Sequence, residues 1–67
     1  AVLHAATEVS VSAFLQRRLA FLVIPVLIRA CLDAVPGGPA GDLEQLLDID
    51  ATARRVAASL VERMASP

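Results

Sequence analysis

The pair with the clearest chemical potential is His4 and Glu8, which stand four residues apart. In a helix this spacing stacks the two side chains on one face, so that they can touch and the carboxylate can favour a charged imidazole. Both side chains also ligate metals. A zinc site, however, needs three or four protein ligands, and the chain has one His and one Cys. The sequence therefore predicts a surface ion pair and no metal site.

The other reactive side chains predict structural roles. A cluster of acids lacks the spacing and the terminal Glu of a calcium loop, and the serines Ser10, Ser12 and Ser59 follow no motif that supplies a base. The acids are Asp42, Glu44, Asp48 and Asp50. Cys31 follows an apolar run as in a lipid-modified export signal, but Arg29 and Pro25 interrupt that pattern, which favours a buried, reduced Cys31. We predict no catalytic, cofactor-binding or metal-binding residues in this chain.

The elements that position these residues read as helices. Apolar residues recur at helical spacing over Ala1–Arg18, which predicts a first helix. Its expected inward face comprises Val2, Leu3, Ala6, Val9, Ala13 and Phe14. Leu19–Val23 is expected to be a connector in which Phe21 fills the groove between helices. Pro25 suits the first turn of a second helix over Ile24–Val35, with Arg29 and Asp33 on its exposed side.

The second half of the chain begins with a Pro/Gly-rich breaker, Val35–Gly41. Asp42 is predicted to cap a short helical turn over Leu43–Leu47, and Asp48–Asp50 to form a further boundary. Asp50 is then the expected N-cap of a last helix over Ala51–Ala65. Its predicted inward face comprises Ala53, Val56, Ala57, Leu60, Val61 and Met64. No strand pattern is present, so the sequence predicts an all-α fold.

Composition limits the classes of protein further. The chain has 67 residues, 57% hydrophobic and 19% charged, with a net charge of −1. This composition excludes a disordered tail, and a lone Cys excludes a disulfide scaffold. The acidic balance predicts neither a nucleic-acid nor a membrane partner. Arg29 and Asp33 interrupt the apolar stretch Leu19–Val35, which is also short for a membrane span.

The apolar content exceeds what a small domain can bury, since about 60 residues hide only about 60% of their unfolded surface. Part of this surface is therefore expected to be an interface. The chain begins at Ala1 without Met, and no N-cap precedes Val2. We therefore expect a fragment whose first helix begins upstream of residue 1.

Three stretches resemble one enzyme family. Val2–Leu15 is similar to the segment V-L-N-A-A-N-E-x-A-V-x-A-F-L of 1-deoxy-D-xylulose-5-phosphate reductoisomerase, with His4 and Thr7 where that family usually has Asn. Arg18–Phe21 resembles its R/Q-I-x-F, although Leu22-Val23 then replaces a polar pair. Asp42–Arg54 resembles its V-x-D-V-L-x-x-D-x-x-A-R. The order and spacing of these stretches cover nearly the whole chain.

The resemblance implies that residues 1–67 are the C-terminal helical domain of such an enzyme or of a divergent homologue. Three helices of a four-helix bundle are then present. The parent would convert 1-deoxy-D-xylulose 5-phosphate to 2-C-methyl-D-erythritol 4-phosphate in isoprenoid precursor biosynthesis. It would use NADPH and Mg2+ or Mn2+, both held outside this chain. Implied partners are the rest of the polypeptide or a helical partner chain, with a homodimeric parent in the bacterial cytoplasm or the plastid stroma. The alternative is a free-standing helical interaction or dimerisation module.

Overall fold

A computed structural model describes residues 2–36 and 41–65 of the chain. These residues form helices α1 (Val2–Leu15), α2 (Ile24–Ala34) and α3 (Leu43–Met64), with a 3-10 turn at Phe21–Val23. The described residues include no strand, so the predicted all-α class is confirmed. Most of the predicted breaker, residues 37–40, lies outside the described residues.

Helix α1 ends three residues earlier than the sequence predicts. Arg17 adopts a left-handed backbone conformation with φ of 61°, which stops the helical path. The N–H of Arg18 then donates to the carbonyl of Ala13 at 2.9 Å, the backbone closure typical of a helix C-terminus. The prediction that the helix continues through Arg18 is therefore wrong, because the tight C-terminal turn includes Arg17 and Arg18.

Helix α2 forms largely as predicted. Pro25 lies in its first turn, where a missing N–H costs no helical hydrogen bond. Arg29 and Asp33 form an exposed ion pair with 3.6 Å between Nε and Oδ1. Within the predicted connector Leu19–Val23, Ala20 has an extended backbone and leads into the 3-10 turn at Phe21–Val23. The local signals therefore located this helix to within one residue of its observed end.

Helix α3 is a single element of 22 residues. Asp42 caps it, since its side chain accepts a hydrogen bond from the Gln45 N–H at 2.8 Å. The predicted boundary at Asp48–Asp50 is wrong, as is the assignment of Asp50 as an N-cap. Asp50 lies inside the helix and accepts a hydrogen bond from Arg54 Nε at 2.7 Å. Neither Gly nor Pro occurs between Leu43 and Met64, so nothing in the backbone forces a break.

The core contains mainly small side chains. Ala5, Ala6, Ser10, Ala53 and Ala57 are fully buried, and Leu27 is the largest fully buried side chain among the described residues. Small side chains at a helix contact allow the backbones to approach closely. The predicted inward face of α3 is confirmed, with Ala53, Ala57 and Val61 buried and Val56, Leu60 and Met64 packed against them.

Two parts of the predicted α1 packing are wrong. Leu3 and Phe14 are 56% and 37% exposed, while Ala5 and Ser10 take the inward positions. Phe21 is 64% exposed and contacts the edge of Phe14 at 5.6 Å between ring centroids, instead of filling a groove. The helix is rotated so that its small residues face α2 and α3, because close helix packing leaves little room for bulky side chains there.

Candidate functional site

The polar side chains that span two helices concentrate where α1 lies beside α3. Glu8 accepts from Arg54 with both carboxylate oxygens, at 3.2 Å from Nη1 and 3.3 Å from Nη2. A guanidinium and a carboxylate that pair through two parallel hydrogen bonds fix their relative orientation. Arg54 also donates through Nε to Asp50, so one guanidinium binds an acid of α1 and an acid of its own helix, α3.

His4 extends this arrangement along α1. Its Nε2 lies 3.1 Å from Oε2 of Glu8, as the spacing in the sequence predicts. The hydrogen bonds from Arg54, followed by its charge, lower the pKa of the Glu8 carboxyl. The hydrogen bonds that Arg54 donates to Glu8 and Asp50 raise the pKa of Arg54. The pair therefore remains ionised at neutral pH and acts as an electrostatic link between the two helices.

A second ion pair joins the turn that follows α1 to the C-terminal part of α3, where Arg18 Nη2 donates to Glu62 Oε1. Between the two ion pairs lies an open groove of about 300 Å3. Ser12, Gln16 and Ala58 contribute to its walls. The formal charges of the two Arg and the two Glu cancel across the groove, so it offers no excess charge to attract an ionic ligand.

The remaining candidate residues lie apart from this groove or serve the fold. Cys31 is fully buried, its Sγ lies 3.6 Å from the carbonyl of Ala53, and burial raises the pKa of its thiol. Ser10 donates to the carbonyl of Thr7 at 3.1 Å. Asp42, Glu44 and Asp48 share one exposed hollow at the start of α3. Across residues 2–36 and 41–65, no three His, Cys, Asp or Glu side chains are grouped so that they could hold a metal ion.

One apolar surface of α1 is covered by no described helix. Leu3, Val11 and Leu15 are 56%, 39% and 73% exposed, and Thr7 completes their helical row. We call these four residues the outer face of α1. Val11 and Leu15 line a shallow hollow of about 510 Å3, edged by His4 and Gln16. An apolar row of this kind is typical of a helix that packs against a further helix.

Sequence reasoning missed both ion pairs that α3 makes, one with α1 and one with the turn that follows α1. Arg54 stands 46 residues from Glu8, and Arg18 stands 44 residues from Glu62. The sequence gives only the charges of these four side chains, because which of them pair depends on how α3 lies against α1. Within the described part of the chain, no helix has the length and apolar character needed to cross a membrane.

Comparison with known proteins adds the family. The sequence-family model of the DXP reductoisomerase C-terminal domain matches residues 1–56 of the chain. The chain is 48% identical over 63 residues to the 1-deoxy-D-xylulose 5-phosphate reductoisomerase of Dechloromonas aromatica, and 44% identical over 63 residues to that of Burkholderia multivorans. Each alignment covers 94% of this chain and 16% of the relative.

The Burkholderia vietnamiensis reductoisomerase is 42% identical over 67 residues, which is 100% of this chain and 17% of the relative. The chain thus spans about a sixth of the length of these curated relatives. No solved structure matches the chain significantly. The helical motifs, the family match over residues 1–56 and these identities together show that the chain belongs to the DXP reductoisomerase C-terminal domain family.

Proposed function

We propose that this chain is the structural C-terminal domain of an enzyme that converts 1-deoxy-D-xylulose 5-phosphate to 2-C-methyl-D-erythritol 4-phosphate, a step in isoprenoid precursor biosynthesis. The observation that carries the proposal is the family match, supported by relatives whose names state the reductoisomerase activity. The domain's part in that enzyme is to pack against the remaining polypeptide and support its catalytic domain.

The groups that the reaction uses, NADPH and Mg2+ or Mn2+, do not fit the described residues. A dinucleotide site of the usual kind needs a strand followed by a glycine-rich turn and a helix, and the described residues include no strand. A divalent cation needs several oxygen ligands in one place, and the described acids are not grouped in that way. We therefore assign both groups to the part of the enzyme outside the aligned segment.

The outer face of α1 is the surface proposed to receive a neighbouring helix and so to complete a four-helix bundle. Leu3, Val11 and Leu15 would be buried by such a helix, and each apolar Å2 removed from water contributes about 25 cal/mol. Glu8 and Arg54 lie beside this face and hold α1 in place against α3. The same enzyme is proposed to be dimeric and located in the bacterial cytoplasm or the plastid stroma.

A chimeric enzyme tests this proposal. The aligned segment of the Dechloromonas aromatica reductoisomerase is replaced by this chain, and NADPH oxidation with 1-deoxy-D-xylulose 5-phosphate is measured. We expect turnover to be retained in the chimera. Val11→Glu should lower both the thermal stability and the turnover of the chimera, because it places a charge in the proposed contact.

Val26→Glu is the matched control, since Val26 is 58% exposed on α2 and lies away from the outer face of α1. We expect this control to behave like the unmodified chimera. A folded chimera without turnover would contradict the proposed function. Equal tolerance of Val11→Glu and Val26→Glu would contradict the proposed contact alone.

A further inference from the structure

The first turns of α3 carry an apolar surface that the described helices leave open. Every residue from Gly41 to Asp48 is exposed. Leu43, Leu46 and Leu47 are 69%, 42% and 59% exposed, and their spacing places them on one face of the helix. We call these three residues the leucine row. Exposed leucines on neighbouring turns are typical of a helix that contacts further protein.

The leucine row continues the surface of α3 that packs against α1. Leu47 precedes Arg54 by seven residues, or about two helical turns, so both lie on the same side of α3. Arg54 contacts Glu8 of α1 through two hydrogen bonds. Val61 lies a further seven residues along this side and is buried. The row is therefore the part of this surface that precedes the contact with α1.

The register between α1 and α3 determines which part of the polypeptide lies beside the row. The two helices run in the same direction, because Glu8 pairs with Arg54 and, later in both segments, Arg18 pairs with Glu62. The partners stand 46 and 44 residues apart, so the offset changes little along the contact. Counting back by 46 residues from the leucine row leads to position 1 and the positions before it, outside the described residues.

The buried core extends as far as the first described turn of α1. Val2 is 6% exposed and Ala5 is fully buried. By the same register, Ile49 of α3 lies level with this turn, and it packs against the core. The leucine row therefore begins directly beyond an established interface, on the same side of α3.

We propose that the segment directly preceding Ala1 in the full-length enzyme packs over the leucine row. The family is a C-terminal domain, and the chain spans 16% of the Dechloromonas aromatica relative, so polypeptide precedes the aligned part there. That segment passes level with the row as it enters α1, and about four residues of continued helix reach the level of Leu43. Covering the row removes apolar surface from water and lengthens the contact between α1 and α3. The inference rests on the proposed function in taking the chain as one domain of a longer enzyme, and it does not use the outer face of α1.

Site-specific photo-crosslinking in the chimeric enzyme tests the inference. The variant Leu43→p-benzoylphenylalanine is irradiated, and mass spectrometry identifies the peptide to which position 43 becomes linked. We expect the link to fall within about ten residues before Ala1, because ten residues of helix span about 15 Å. Asp48→p-benzoylphenylalanine is the matched control, since Asp48 lies on another face of the same turns, and it should not link to that segment. A link from position 43 to a more distant part of the enzyme or to a second copy, or no link in the folded chimera, would overturn the inference.

Thiol labelling provides a second measurement with a small side chain. In the folded chimera, Leu43→Cys should react with a maleimide at least about tenfold more slowly than Asp48→Cys, because modification of a covered thiol requires local opening. Peptide mass spectrometry follows each site separately, and equal rates would contradict the burial of the row. Turnover distinguishes the two proposals. A folded chimera without turnover contradicts the proposed function, whereas an active chimera with equal labelling rates or a misplaced link contradicts this inference alone.

Discussion

Glu8 has one polar contact within its own helix and a second, with Arg54, that forms only when α1 packs against α3. On α1 alone it is half of an exposed pair with His4. Against α3 it also accepts two hydrogen bonds from Arg54, which in turn contacts Asp50. Exposed single ion pairs contribute little to stability, but a guanidinium with fixed geometry between two acids restricts how the helices can slide. Glu8 therefore helps to set the register between α1 and α3.

The acid stability of the chain should depend on Glu8. Its folded-state pKa lies below the ordinary value of 4.5, so its contribution is fully present above that value and is lost as the pH falls through the lowered folded pKa. Glu8→Gln should therefore reduce the loss of melting temperature on acidification from neutral pH. Thermal melts at a series of pH values measure this. Glu44→Gln is the control, and an acid response equal to that of Glu8→Gln would contradict the role of Glu8.

Burial ranks Leu27 above Phe14 as a stabilising side chain. Leu27 is fully buried, and Leu27→Ala should cost about 2–5 kcal/mol of the free energy of unfolding. Phe14 is 37% exposed and makes an edge contact with Phe21, so Phe14→Ala should cost about 1–2 kcal/mol. Urea unfolding of both variants measures the difference. The reverse order would place Phe14 in the core, as its apolar spacing predicts.

At the scale of elements, a helix begins where the sequence predicts it when a capping side chain or a proline marks its first turn. Asp42 with Gln45 begins α3, and Pro25 lies in the first turn of α2. Asp50 has the residue type of a cap but lies inside α3, where it pairs with Arg54 one turn later. Asp is only slightly unfavourable inside a helix, and such a pair offsets part of that cost. A capping residue type therefore marks a helix start only where the preceding residues cannot continue a helix.

A proline substitution distinguishes one continuous α3 from two helices. If Asp50 were an N-cap, Ala51 would be the first helical position, where Pro is well tolerated. In the observed helix, Ala51→Pro removes an internal hydrogen bond and should cost about 3 kcal/mol or more. Leu43→Pro, at the true first position, is the control and should be nearly neutral. Thermal melts compare the two variants, and a neutral Ala51→Pro would show that α3 is divided.

At the scale of the whole molecule, the described residues form three packed helices with much exposed apolar surface. Leu15, Leu22 and Leu43 are 73%, 80% and 69% exposed and lie on different parts of the molecule. Exposed apolar surface of this extent is typical of a domain that contacts further protein. The proposed contact between the outer face of α1 and a neighbouring helix would cover part of it.

Because the enzyme is proposed to bind NADPH outside this domain, the isolated chain should not bind it. NADPH titrated into the 67-residue chain should give no heat of binding in a calorimeter, because its described helices do not fit a dinucleotide. The active chimera, titrated under the same conditions, is the positive control. A saturable heat with the isolated chain would show that this domain contributes to cofactor binding.

The sequence by itself determined the helical class, the start of α3 at Asp42, most of α2, the contact of His4 with Glu8 and the inward face of α3. It also carried the family motifs. These features depend on spacing and capping within a few residues, so they can be read locally.

On α1 the sequence correctly placed Val2, Ala6, Val9 and Ala13 towards the core. The tertiary structure alone decided the burial of Ala5 and Ser10, the exposure of Leu3, Phe14 and Phe21, the continuity of α3 through Asp50 and the pairing of Glu8 with Arg54. The physical reason is that these features depend on how closely helices distant in sequence approach one another. That distance is determined by the small side chains Ala5, Ala53 and Ala57 at the contact rather than by the most apolar residues of each helix.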